Sequence, residues 1–311
     1  MSTTFSDPGY SAENYLDHRP RYPQELYDTI LEFHNTPATE GHHECPASQT
    51  KVALDLGCGP VRVSTVSIQA VSKLIKNNEN YSPIGIATEA LISRFQKVIA
   101  IDESEPMIKI ARTRLPQVEF HIASATCMPM IESGSVDLIT VATADNWWEE
   151  AERVLKPGGT VALWTVSHQM IIEPRHPKTH EINESQNVLL GTVSAYFTQG
   201  NEYVMGMYDT LPLPASESKF GTIRRWYWNR EKVDDSKMLM GSKFNINTLR
   251  QRLHTYSPVH RWRTDNPTKK DTEDDPVEQM LSQIKTVSGW DDSTEFIAGH
   301  PLALLMTKKL G

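Results

Sequence analysis

Apolar positions along this chain follow two rhythms. Between residues 51 and 166, short apolar runs alternate with stretches of helical periodicity. The runs KVALDL (51–56), KVIAID (97–102), VEFHIAS (118–124), VDLITVATA (136–144) and TVALWTV (160–166) have strand length. Such near-continuous runs read as parallel strands covered on both faces. MIKIARTRL and EEAERVL lie between them with helical spacing, and Gly158 and Gly159 of KPGG are expected to stop the second helix. The pattern predicts an α/β, doubly wound, mostly parallel sheet.

Outside that region the pattern changes. Pro23 opens a helix over QELYDTILEFH, with Leu26, Ile30 and Leu31 at helical spacing. Residues 35–50 are rich in Pro, Gly, Ser and Thr and read as a loop. After residue 170 helix and loop mix. The run RRWYWNR alternates at strand period, which favours a sheet or cap edge over base stacking. INTLRQRLHTY and PVEQMLSQIKTV are predicted helices, VHRW a short strand, LALLMTKKL a final strand, and 264–275 a solvated loop. The expected organisation is an N-terminal lid and helix (1–50), a core (51–170), a small cap and substrate region (171–245), and a C-terminal part of the sheet (246–311).

Composition narrows the function. The 311 residues suffice for one large domain or a domain with an appendage, and 39% apolar residues permit a core. A net charge of −8, with no basic segment, argues against nucleic acid as a partner. Cys45, Cys58 and Cys127 are odd in number and widely spaced, so no disulfide framework is expected. The first residues lack a basic and apolar leader pattern, and no long apolar run suggests a membrane span. A reducing cytoplasm is the expected location. HHEC (42–45) and RHPKTH (175–180) lack a matching ligand pair, so no metal site is expected.

The candidate chemistry lies at the end of the first strand. Asp55-Leu56-Gly57-Cys58-Gly59 places a tight turn where open α/β sheets bind ligands, and Asp102 ends the next strand, placed to accept from ribose hydroxyls. A dinucleotide site wants a third glycine, but Arg62 stands there. S-adenosylmethionine, which has no pyrophosphate, fits better. Its adenine would then lie beside Ala125 and Thr126. Cys58 is a small turn residue before it is a nucleophile.

LDLGCGP, VIAIDESEPMIKIAR and ERVLKPGGTVALW resemble a class I S-adenosylmethionine-dependent methyltransferase. YLDHRPRYPQELYDTILEFH and LRQRLHTYSPVHRW more narrowly resemble the fungal trans-aconitate methyltransferase family. The resemblance implies a seven-stranded sheet with an antiparallel last strand, a Rossmann-like core and a small-molecule substrate. It implies cofactor contacts from Asp55, Gly57, Gly59, Asp102, Met107 and Ala125. Methyl transfer to a carboxylate needs no general base, so no catalytic side chain is expected. Arg19 and Arg21 are candidate carboxylate clamps. Tyr10, Tyr15 and Tyr22 would close the pocket, and Trp147 would wall it.

Two departures from that family stand out. Its glycine turn runs directly into a helix like GIATEALISRF. Here 61–84 intervenes, an insertion with its own helical spacing, and a translated intron is one origin for it. The alternative function is accordingly a methyltransferase fold disabled at its glycine loop. The second departure is the segment after the fourth strand, which is shorter than the family's.

Overall fold

The computed structural model describes residues 22–36, 51–58, 87–142, 147–173, 176–214, 219–230 and 238–311. The predicted insertion at 61–84 lies outside them. The chain divides into two compact units.

The first unit comprises Arg21–Thr165, Leu211–Trp226 and Leu304–Gly311. Its strands are β1 (Val52–Leu56), β2 (Lys97–Asp102), β3 (Glu119–Ile122), β4 (Val136–Ala142) and β5 (Leu155–Val166). With β7 (Arg224–Trp228) and β10 (Leu302–Lys308) they form a seven-stranded sheet in the order β3-β2-β1-β4-β5-β10-β7. The four pairings among β1 to β5 are parallel. Every residue of β10 is buried, as are nearly all of β1, β2 and β4. Burial on both faces is why these runs carry no alternation.

Helix α1 (Gln24–Asn35) buries Leu26, Tyr27 and Ile30, with Pro23 at its cap. It is tied to the sheet where His34 Nδ1 meets Thr160 Oγ1 at 2.9 Å. Lys308 Nζ donates to the carbonyls of His34 and Thr36 at 2.8 and 2.5 Å. Burial, reinforced by Lys308, pushes His34 down to about 4, so the imidazole is neutral. Helices α2 (Ala87–Ile92), α3 (Glu105–Arg114) and α4 (Trp148–Val154) connect the strands. RRWYW is the β7 edge strand, as its alternation predicts.

The second unit includes Val166–Thr210 and Tyr227–Ala303. It holds a small sheet of β6 (Met170–Ile171), β9 (Phe296–Gly299) and β8 (Ser242–Phe244), in that order. Its helices are α5 (Thr179–Glu184), α6 (Gln186–Val193), α7 (Gln199–Met205), α8 (Ile246–His254), α9 (Ser257–Asp265) and α10 (Pro276–Ser288). Ile182, Leu189, Leu249, Leu253, Leu281 and Ile284 share one buried apolar cluster there. Residues 246–303 thus group with the cap region, and only Leu304–Gly311 groups with the large sheet.

Four expectations are corrected. VHRW is not a strand but the middle of α9, where Pro258 occupies the first turn and Val259 and Trp262 are buried. KPGG does not stop a helix. Helix α4 ends at Val154, and KPGG lies inside β5. There Val136 pairs Leu155 but Leu138 pairs Thr160, so the four residues bulge. Gly158 takes φ +79°, and a Cβ on Gly159 would come within 2.9 Å of the Lys156 carbonyl. The third strand is shorter than expected, ending at Ile122. Finally, 264–275 is not wholly solvated. Asp275 is fully buried, caps α10 through the Val277 N–H at 2.9 Å, and pairs with Arg263 at 3.2 Å.

Candidate functional site

The carboxyl ends of β1, β2 and β3 assemble the candidate site. Leu56 is in register with Ile101, so the glycine turn leaves β1 beside the end of β2. Gly57 has φ +67°, a conformation that penalises any side chain. Crowding is not the reason, since the nearest atom to an added Cβ is the Ala142 carbonyl at 4.0 Å. The N–H groups of Gly57 and Cys58 both donate to the Ile101 carbonyl, at 2.8 and 3.1 Å. The turn is thereby locked onto β2.

Asp102 is partly exposed at the end of β2, and its Oδ1 accepts the Ser104 N–H at 2.8 Å. Ser104 is the N-cap of α3, so this bond aims Asp102 at the head of that helix. Met107, one turn into α3, is buried. The Ala123 N–H donates to the Asp102 carbonyl at 3.2 Å and brings the segment after β3 alongside. In that segment Ala125 is buried, whereas Thr126 is exposed and bonds Ser124 Oγ at 2.9 Å. The Met128 N–H donates to Glu150 at 2.7 Å, and Arg153 donates to the Met128 and Ile131 carbonyls at 2.8 Å. Those bonds hold the segment against α4.

Asp55 is almost fully buried, at 1% exposure. One carboxylate oxygen accepts from Thr88 Oγ1 at 2.5 Å and the other from Thr140 Oγ1 at 2.7 Å. Burial raises its pKa from 3.8 to about 6, against the lowering effect of the two threonines; nearby Asp102 adds to the rise. Both oxygens therefore serve the protein's own framework. Burial, helped by Asp55 and Asp102, also pushes the Cys58 thiol up, so it is no nucleophile at neutral pH.

Trp147 is 1% exposed and stacks on Trp148 with centroids 4.2 Å apart. That burial is typical of a packing residue. Gly59, Tyr10, Tyr15, Arg19 and Arg21 lie outside the described residues. So does HHEC, whereas His176 bonds the Ser288 carbonyl at 3.1 Å. His254, Asp271 and Asp275 converge in the helical unit, but the Arg263 guanidinium holds both carboxylates.

Sequence reading missed Thr88, Thr140, Tyr27 and Trp164. Tyr27 and Trp164 are buried, and their rings meet edge-on at 6.3 Å. Neither Tyr27 Oη nor Trp164 Nε1 has a hydrogen-bond partner among the described residues. The available signal was polarity out of place: Thr140 interrupts an apolar strand, and Thr88 stands at the start of an apolar helix.

A family model described as a methyltransferase domain matches residues 84–159. The sheet order above is that of the class I methyltransferase fold, in keeping with the matched domain. One similar protein is "Probable S-adenosylmethionine-dependent methyltransferase CRG1" of Saccharomyces cerevisiae, 20% identical over 93% of this chain and 92% of its own length. Another is a trans-aconitate 2-methyltransferase of Variovorax paradoxus, 30% identical over 49% of this chain and 51% of its own length. The chain thus spans about half the length of that relative. A solved structure from Anaeromyxobacter dehalogenans, described as a "Putative Type II Methyltransferase", shares the fold. It has a TM-score of 0.60 and 21% identity, and the match covers 94% of this chain and 98% of that one. Among the described residues no helix is long and apolar enough to cross a membrane.

Proposed function

We propose that this enzyme methylates a small carboxylate-bearing metabolite of the trans-aconitate type, giving a methyl ester. The observation that carries the reading is the locked Gly57 turn beside Asp102, at the strand ends where open α/β sheets bind ligands. S-adenosylmethionine supplies, when bound, a sulfonium-activated methyl group. The chain's residues would hold it: Asp102 would accept from ribose hydroxyls, Met107, Ala125 and Thr126 would line the adenine side, and Gly57, Cys58 and Gly59 would permit close approach. Asp55 braces the turn from beneath.

A carboxylate acceptor is already ionised at neutral pH. The chain then has to align it and exclude water, with no proton to remove. Cys58 fits this account, since its thiol is held protonated. Arg19 and Arg21 would clamp the acceptor, and Tyr15 would bound it, whereas Trp147 is buried as a packing residue. Support for the substrate class comes from the trans-aconitate relatives and from RPRYP at 19–23. A cytoplasmic small-molecule enzyme, with no nucleic-acid partner, is the accompanying reading.

Calorimetry with S-adenosylhomocysteine tests the cofactor site, and micromolar binding is expected. No binding to the folded chain would favour the disabled fold. A mass-shift screen of polycarboxylates tests the acceptor. One added methyl group on a member of that class is expected, and none on any member removes the aconitate-type substrate.

A further inference from the structure

Thr88 and Asp55 join two elements that the sequence holds 33 residues apart. Thr88 is fully buried in the first turn of α2, where helix N–H groups lack intrahelical partners. Asp55 receives both its hydroxyl, at 2.5 Å, and its backbone N–H. Thr140 of β4 takes the other oxygen at 2.7 Å. One carboxylate thus fastens β1, β4 and α2 together, two residues before the left-handed Gly57. The helix that must follow the glycine turn is seated on β1 by this clamp, however long the chain between them.

We propose that Thr88 is a positioning residue of the cofactor turn, holding Asp55 as an ionised brace that fixes where Gly57 and Cys58 present themselves. The proposal rests on the reading of that turn as the S-adenosylmethionine site. Thr88 touches no reacting atom in this account.

The groups facing Asp55 are Asp102 from β2, Tyr27 from α1, Cys58 from its own turn, and the two threonines. Asp102 disfavours the charge, whereas the threonine bonds favour it. Tyr27, whose hydroxyl is pushed up by burial, stays neutral. Loss of the Thr88 hydroxyl must therefore move the Asp55 titration upward from about 6.

The test is calorimetric titration of S-adenosylhomocysteine against pH, paired with thermal melts without ligand, on the full chain. For the wild type, affinity is expected to fall as pH drops through about 6. Thr88→Val is expected to weaken affinity roughly tenfold at neutral pH and to shift that midpoint upward. Thr88→Ser is expected to restore both. Asp55→Asn is expected to flatten the pH dependence, and Thr88→Ala replaces Thr88→Val if the latter fails to fold. A hydroxyl-free variant with wild-type affinity and an unmoved midpoint overturns the positioning role alone. Absence of binding by the wild type, with melts showing a folded chain, overturns the cofactor reading and the role with it.

Discussion

The buried cluster of the helical unit is apolar, whereas the carboxyl end of the sheet buries a carboxyl group among hydroxyls. The first arrangement follows from helical periodicity and serves stability. The second opposes stability: a charge taken out of water is disfavoured even when hydrogen-bonded. Such a group at a strand end, beside a left-handed glycine, supports the role proposed for it. Substitutions in the two regions should accordingly separate stability from binding.

Ile284→Ala gives the largest expected effect. Ile284 is fully buried in the helical cluster, and deleting its branched side chain should cost about 2–5 kcal/mol. Urea denaturation reads the loss. Affinity for S-adenosylhomocysteine should be unchanged in the folded protein. A parallel loss of affinity would mean that the two regions do not separate.

Asp55→Asn should act in the opposite sense. The carboxyl is raised from 3.8 to about 6, a little over two units, or about 3 kcal/mol at 1.36 kcal/mol per unit. Because the folded value lies above the unfolded one, this contribution to stability is fully present below 3.8. It is lost as pH rises through about 6. An asparagine has no charge to bury and can still bond both threonines. The variant should therefore melt higher than wild type at neutral pH, with the gain vanishing near pH 4 and cofactor affinity reduced. A lower melting temperature at neutral pH would show that Asp55 is a net stabiliser and break the contrast.

The mostly parallel sheet was legible because both faces of β1, β2 and β4 are covered, which leaves uninterrupted apolar runs. The glycine turn and Asp102 were legible as a spacing. The clamp was not. Thr88 and Thr140 lie 33 and 85 residues from Asp55, and nothing local says that three polar residues meet. VHRW misled because Val and Trp favour strands, yet Val259 and Trp262 lie three apart at helical spacing, and Ser257-Pro258 just before them is a helix-start signal. KPGG matched a helix stop, yet its left-handed Gly158 shapes a bulge in β5. Arg19, Arg21 and Gly59 lie outside the described residues.

Removing 61–84 sharpens the comparison at the glycine turn itself. With α2 already seated by Asp55, a shorter connection should leave stability equal or higher, by on the order of 1 kcal/mol from loop closure. Binding of S-adenosylhomocysteine should persist. If the wild type binds nothing and the shortened chain binds, the segment disables the site. If the shortened chain fails to fold, the segment is structural and the clamp is not sufficient.

The smallest expected effect is at Tyr27. Its hydroxyl is buried and lacks a hydrogen-bond partner among the described residues, so it is desolvated without compensation. Tyr27→Phe keeps the edge-on contact with Trp164 and removes only the oxygen. Stability should rise slightly or stay level, within about 1 kcal/mol by differential scanning calorimetry. Tyr27 also lies close enough to Asp55 to disfavour its own ionisation, so the Asp55 titration should barely move. A clear loss of cofactor affinity with stability unchanged would give the hydroxyl a partner in the loaded site. It would also extend the polar group beneath the glycine turn from the threonines to α1.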